Sequence, residues 1–340
     1  MKAAIWYNNH DIRLEERPLG RPGPREMVVK VVSCGICGSD IVEWYRLPRA
    51  PLIQGHELGA EVVEVGAQVM RYRPGDRVFI APKVPCLECK YCKEGHYPQC
   101  VGVKERLPGA FAEYILVPPV LVERGTHLLP PSISFDQSTF IEPLACVLRS
   151  QTIAGLHSGQ AVVVLGCGMS GLLQVQAAKR QGCRVVATDI DPSKLVHAAE
   201  LGADRTLLAT EDVPARVADW FGTKADAVIL CTAALSAVEQ AWAAVDKGGV
   251  IVFFAVPAPE QPVTIPINGF WTQEIRIVTS YYCGPPDIEA SMKLLESHEI
   301  EVDSLITHRL GLQETALGFR LVMEGREAIK VIIQPHGPPP

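Results

Sequence analysis

The chain has 340 residues, 48% hydrophobic and 21% charged, the balance of a packed globular protein with length enough for two domains. Its net charge of −6 gives it no attraction to nucleic acid or anionic lipid. The longest apolar run, Gly249 to Ala258, is too short to span a bilayer and ends at prolines, so no membrane partner is expected.

In chain order, the first part reads as β-structure. Runs rich in β-formers fall at Lys2–Tyr7, Ile12–Glu15, Met27–Ser33, Leu58–Val65, Arg77–Ile80 and Phe111–Val117. Turns such as Gly23-Pro24 and Pro74-Gly75-Asp76 separate them. From Phe135 the pattern is helical, and then strand and helix alternate. Strands are predicted at Ala161–Leu165, Arg184–Thr188, Arg205–Leu208, Ala227–Cys231, Gly249–Ala255 and Ile275–Ser280, with helices at Met169–Gln181 and Pro192–Leu201. Short apolar strands separated by helices predict a parallel sheet covered on both faces. The tail gives a helix (Asp287–Ser297), a strand near Leu305–Leu310, a helix (Gln313–Glu324) and a strand (Ile329–Ile333). It breaks the βα rhythm and is expected to rejoin the first domain.

The N-terminus meets Asn8, Asn9, His10 and Asp11 before any signal-like apolar core, so a cytoplasmic protein is expected. Eleven cysteines, an odd number in a large chain, fit reduced thiols, several of them metal-bound, better than disulfides.

Three motifs carry chemistry. Cys34-Gly35-Ile36-Cys37-Gly38-Ser39-Asp40, followed by Gly55-His56-Glu57, brings together thiolates, an imidazole and carboxylates, the donors that zinc prefers. Cys86, Cys89, Cys92 and Cys100 have the spacing C-x2-C-x2-C-x7-C, close enough to close a tetrahedron around one ion with no position left for substrate. A structural zinc is expected there, an iron–sulfur cluster being the other chemical reading. The third motif is a strand running into Gly166-Cys167-Gly168-Met169-Ser170-Gly171, a G-x-G-x-x-G turn that opens a helix. Gly166 makes the turn, Gly168 lets the backbone approach a pyrophosphate, and Gly171 lets helix and strand pack. The helix N-terminus at Met169 and Ser170 offers free N–H groups to the phosphates. Asp189, 18 residues after Gly171 at the end of the next strand, suits the adenosine ribose hydroxyls and repels a 2′-phosphate. NAD is therefore favoured over NADP, and Lys194 is placed to reach the same ribose.

Taken together, these residues resemble the zinc-dependent medium-chain dehydrogenases, within them the sorbitol (polyol) and threonine dehydrogenase branch. Further stretches carry the resemblance: Gly55-His56-Glu57-Leu58-Gly59, Ile141-Glu142-Pro143-Leu144-Ala145 and Ile306-Thr307-His308-Arg309. The resemblance implies an α/β fold, with a GroES-like β-barrel catalytic domain (1–146 and 287–340) that holds the structural-zinc lobe at about 84–102. A doubly wound Rossmann domain, 147–286, would bind NAD. It implies two zinc ions per chain and a homodimer or homotetramer. Cys37 and His56 correspond to the first two ligands of a catalytic zinc, and Cys34 is then a buried strand thiol. The remaining ligand would be a carboxylate, with Glu142 favoured and Glu57 an outer or exchanging group.

The activity implied is reversible oxidation of a secondary alcohol or polyol to the ketone, with hydride transfer to NAD. Ser39 would take the first proton. The family often ends that relay on a histidine five residues after the cysteine, where this chain has Val42. Asp40 would orient the site or cap the turn. Polyol dehydrogenases place an arginine where this chain has Tyr281, and Trp44 is a candidate pocket wall. Rival readings are a threonine or aldose dehydrogenase, a zinc-free NADPH quinone reductase, and a nucleotide-binding regulator without catalysis.

Overall fold

The structure is a computed structural model and describes residues 1–102 and 105–337. The chain forms two compact units: Met1–Pro143, Gly284–Glu296 and Val302–Pro340 make the first, Leu144–Cys283 and Ser297–Glu301 the second.

The first unit begins with β1 (Lys2–Asn8), β2 (Asp11–Glu16), β3 (Met27–Gly35), β4 (Leu52–Ile53), β5 (Glu57–Val65), β6 (Arg77–Ile80), β7 (Tyr114–Val117) and β8 (Thr126–Leu128). The second unit supplies β9 (Ala161–Leu165), β10 (Arg184–Asp189), β11 (Arg205–Leu208), β12 (Ala225–Leu230), β13 (Val245–Phe253) and β14 (Arg276–Thr279). The tail then adds β15 (Ile306–Gly311) and β16 (Lys330–Gln334) to the first unit.

In that first unit, β2, β1 and β4 form a small antiparallel sheet, and seven strands form a larger one in the order β15-β16-β3-β5-β6-β8, with β7 also on β3. The strand β3 is buried along most of its length because β5, β7 and β16 all pair with it. Its Met27, Val29 and Val31 join Leu58, Phe111 and Phe319 in the core. Register positions the chemistry: Gly35 pairs with Glu57 across β3 and β5, and with Ile332 across β3 and β16. The end of β3, the start of β5 and the C-terminal strand therefore meet at one place.

In the second unit, six parallel strands run in the order β11-β10-β9-β12-β13-β14. That is the doubly wound order, whose switch point lies beside the first strand, β9. Every residue of β9 is buried, which is why it reads as an unbroken apolar run rather than an alternating one.

The observed elements depart from the predicted ones mainly at short strands. The strands β4 and β8, with two and three residues, carry no readable alternation. Phe111, predicted to open a strand, instead accepts a single backbone bond from Ala4 and packs in the core, and the strand starts at Tyr114.

Candidate metal centres and dinucleotide site

Cys37 caps a short 3-10 turn, Gly38–Ile41. The Ser39 N–H and hydroxyl reach its sulfur at 3.4 and 3.3 Å. The Cys37 N–H donates to Asp40 Oδ2 at 3.1 Å, so Asp40 does cap the turn. The same carboxylate is fully buried, and its Oδ1 lies 2.8 Å from Arg46 Nη2 and 3.4 Å from His56 Nδ1. Asp40 thus performs both roles considered from sequence: it closes the turn and sets the imidazole. Gly55, at φ +91°, turns the chain into β5, and a Cβ there would stand 2.9 Å from Cys34 Sγ.

Cys37, His56 and Glu57 each bring a donor atom within 4.8 Å of the other two. Glu142, favoured from sequence as the third ligand, is outside this group. It lies buried in the first turn of the helix Ile141–Ala154, where the following Pro143 is tolerated. The reason is local. Neighbouring strand residues face opposite ways, but β5 begins only at Glu57, and His56 still belongs to the turn, so both side chains reach the Cys37 sulfur.

The electrostatics of the group fit a cation. Burial and the Glu57 charge push the Cys37 thiol up, with His56 opposing. Burial opposes charge on His56, yet Asp40 and the Cys37 sulfur hold it well above its ordinary value. Glu57 is fully buried, with Oε2 held by Lys330 Nζ at 2.5 Å and Oε1 without a hydrogen-bond partner among the described residues. A buried carboxylate oxygen left unpaired is costly unless something positive faces it. A thiolate, an imidazole and a carboxylate satisfy zinc and leave one of its four positions open. Cys34 is buried beside this group, its thiol raised by burial and bonded to the Gly35 carbonyl.

Cys86, Cys89, Cys92 and Cys100 form a second group, again with donor atoms within 4.8 Å. Backbone N–H groups point at the sulfurs: Cys86 to Cys100 at 3.1 Å, Cys89 to Cys86 at 3.3 Å, and Gly102 to Cys100 at 3.3 Å. Such bonds, led by one from Cys92, hold the Cys89 thiol down to about 6. Burial and the neighbouring sulfurs push Cys92 up to about 12. The four fit a metal as a set of thiolates, since a divalent ion would deprotonate all of them.

In the second unit the glycine turn sits at the end of β9 and opens the helix Met169–Arg180. Gly166 turns at φ +98°, and a Cβ on Gly171 would stand 1.8 Å from the Gly166 carbonyl oxygen. A Cβ on Gly168 would meet nothing within 4 Å, so the space before that backbone is open. The first-turn N–H groups of Met169, Ser170 and Gly171 have no side-chain cap to bond them. Asp189 is mostly buried at the end of β10. Its Oδ2 accepts the Cys167 N–H at 2.6 Å and its Oδ1 the Asp191 N–H at 2.9 Å. It therefore ties the two loops together with lone pairs to spare. Lys194 lies half-buried on the helix Pro192–Glu200.

Two charged residues were not read from sequence. Arg46 donates to Ser39 Oγ at 2.8 Å, to the Ser39 carbonyl at 3.0 Å and to Asp40. Lys330 holds Glu57. The one available signal for Lys330 was a lysine opening the otherwise apolar Val331-Ile332-Ile333 strand. Trp44 and Tyr281 both stand about half exposed.

Two donor sets suited to zinc, one open and one closed, in a chain that also carries a doubly wound sheet with a glycine-rich turn, define a zinc-binding dehydrogenase. Residues 23–125 match the family model of the alcohol dehydrogenase GroES-like domain, and residues 171–297 that of zinc-binding dehydrogenases. A sorbitol dehydrogenase from Gallus gallus is 33% identical, over 98% of this chain and 96% of its own. The erythritol/L-threitol dehydrogenase of Mycolicibacterium smegmatis is 33% identical, over 98% of both. A zinc-binding dehydrogenase structure from Sinorhizobium meliloti, bound to NADP, superposes with a TM-score of 0.87 at 28% identity, covering 98% of this chain and 99% of the other. The chain belongs to the zinc-dependent medium-chain dehydrogenase family, on its sorbitol-dehydrogenase-like branch. It is an oxidoreductase that uses zinc and a nicotinamide dinucleotide.

Proposed function

We propose that this protein reversibly oxidises a secondary alcohol or polyol to the ketone with NAD as hydride acceptor, using zinc held by Cys37, His56 and Glu57. The observation that carries this reading is the convergence of those three donors, with Glu57 Oε1 buried and unpartnered among the described residues. A second zinc would be closed off by Cys86, Cys89, Cys92 and Cys100.

Zinc at the open site supplies a Lewis acid that lowers the pKa of an alcohol. The chain's own groups do the rest. Asp40 fixes the His56 ring through Nδ1. Ser39 lies beside Cys37, and its hydroxyl donates a hydrogen bond to the Cys37 sulfur at 3.3 Å. Arg46 donates to the same hydroxyl and has no lone pair to accept with, so a proton cannot leave through it. With Val42 also unable to accept one, the exit from Ser39 runs through solvent. Asp189 would hold the adenosine ribose, and the turn at Gly166, Gly168, Met169, Ser170 and Gly171 would hold the pyrophosphate, favouring NAD.

The reading extends to a homodimer or homotetramer, supported by exposed Ile267 and Trp271 in the helix leading to the edge strand β14. A cytoplasmic setting is supported by eleven cysteines, none in a disulfide. No helix among the described residues is long and apolar enough to cross a membrane.

A panel of polyols, 2-alcohols, threonine and aldoses, with NAD and with NADP, tests the reading by reduced-cofactor absorbance. Metal is counted alongside. Turnover of a polyol or 2-alcohol with NAD and about two zinc ions per chain are expected. Preference for threonine or an aldose would move the protein to a sister activity, and tighter use of NADP would remove Asp189 from its role.

A further inference from the structure

Lys330 is a fully buried lysine in a chain that gives it few partners. Its Nζ lies 2.5 Å from Glu57 Oε2 and 3.3 Å from the Thr139 carbonyl, and sits over the Phe140 ring at 4.9 Å from the centroid. It opens β16, which is hydrogen-bonded to β15 on one side and to β3 on the other. The lysine therefore acts from a rigid element, not a loop. Room is made for it by Gly35, where a Cβ would stand 2.5 Å from Lys330 Cε and Nζ and 2.6 Å from Glu57 Oε2. The same glycine lies two residues before Cys37.

A buried ion pair is a poor device for stability alone, since apolar side chains of similar volume do as well or better. The three residues that follow, Val331, Ile332 and Ile333, are all apolar and buried, so Lys330 is the one charge on this strand. What an apolar residue would not do is engage one oxygen of Glu57 and leave the other bare. Oε2 is committed to Lys330, and Oε1 has no partner among the described residues.

We propose that Lys330 is a positioning residue for Glu57, holding Oε2 so that Oε1 alone is presented to the metal. A carboxylate that binds through both oxygens fills two positions on an ion. Held to one oxygen, Glu57 occupies a single position, and a tetrahedral ion keeps its fourth for substrate. The proposal rests on the reading of Cys37, His56 and Glu57 as a metal site, and the experiment separates the two.

The test replaces zinc with 113Cd in the full-length protein and records its NMR spectrum. Wild type should give two resonances, the four-thiolate one far downfield and serving as internal reference. In Lys330→Met the other resonance should move upfield as Oε2 joins the ion, while the reference stays. Lys330→Gln, which keeps an N–H donor for Oε2, should return it toward the wild-type position. The KM for the alcohol should rise about tenfold in Lys330→Met, the scale typical of lost partners around metal ligands, with the KM for NAD unchanged. If the resonance does not move in Lys330→Met, even with a lower melting temperature, Lys330 is only structural and the proposal fails. If that variant does not fold, wild type labelled with 15N-lysine decides. The buried Nζ signal must shift on cadmium loading, and a signal indifferent to metal overturns the proposal. If wild type gives no second cadmium resonance, the metal-site reading itself has failed and takes this inference with it.

Discussion

The two donor sets in the first unit are built in opposite ways. The four-cysteine lobe draws its donors from Cys86 to Cys100, Cys92 on a short helix, Cys100 just after a 3-10 turn and the others in loops, with only Cys92 of the four buried. Its electrostatic support comes from backbone N–H groups within the same segment, between Cys86 and Gly102. The Cys37 group takes its donors from two strand ends, and its support from Asp40, Arg46 and a lysine 273 residues away from Glu57. One set is a staple made by spacing. The other is a product of the whole β-sheet, and its charges are balanced by partners that only the finished fold supplies. A closed site can be local because it need only hold an ion. An open site must also keep one position clear, which takes a scaffold.

Variants can break this contrast. The largest effect is expected from Cys37→Ala: kcat/KM should fall about a thousandfold, the ~4 kcal/mol that loss of a Lewis acid implies. The lobe's metal should stay, so metal analysis should find one ion lost, with the lobe as resistant to protease as in wild type. Cys89→Ala should do the reverse. One ion is again lost, but the segment around 84–102 becomes protease-sensitive, and residual activity follows the folded fraction. Equal effects of the two variants on folding would erase the distinction.

Arg46→Met comes next. It strips a buried carboxylate, Asp40, of its guanidinium, and chemical denaturation should show a loss of about 3 kcal/mol. A loss under 1 kcal/mol would mean that His56 and the turn satisfy Asp40 by themselves. The smallest effect is expected outside the first unit. Asp189→Asn should raise the KM for NAD about tenfold and narrow its advantage over NADP, because one charged acceptor for the ribose becomes neutral. Unchanged cofactor kinetics would return Asp189 to the structural role its bonds to Cys167 and Asp191 already give it.

The same contrast explains what could be read from the residues. Spacing alone marked Cys86, Cys89, Cys92 and Cys100, and the apolar run before Gly166 marked the centre of the parallel sheet. Both are short-range patterns. The choice between Glu57 and Glu142 turned on where β5 starts, a single-residue question that propensity does not resolve. Arg46 reads from sequence as one more charge after the Trp44-Tyr45 pair, and its bonds to Ser39 and Asp40 follow only from the fold of the turn. Lys330 showed only as a lysine at the head of an apolar strand, and its partner Glu57, 273 residues away across the sheet, leaves no trace in that local sequence.

The position of β16 also has a consequence for the order in which the molecule can be made. The second unit is nearly continuous in sequence and has all six of its strands by Thr279, so its sheet can form while the ribosome is still adding the tail. The Cys37 site has no such opportunity. Its cysteine, histidine and glutamate are synthesised early, but Lys330 emerges only with the last strand, and pairing that strand with β3 is a contact of very long sequence separation. A nascent chain therefore carries its four-cysteine lobe long before Lys330 can meet Glu57, and the buried ion pair beside Cys37 is among the later contacts to form.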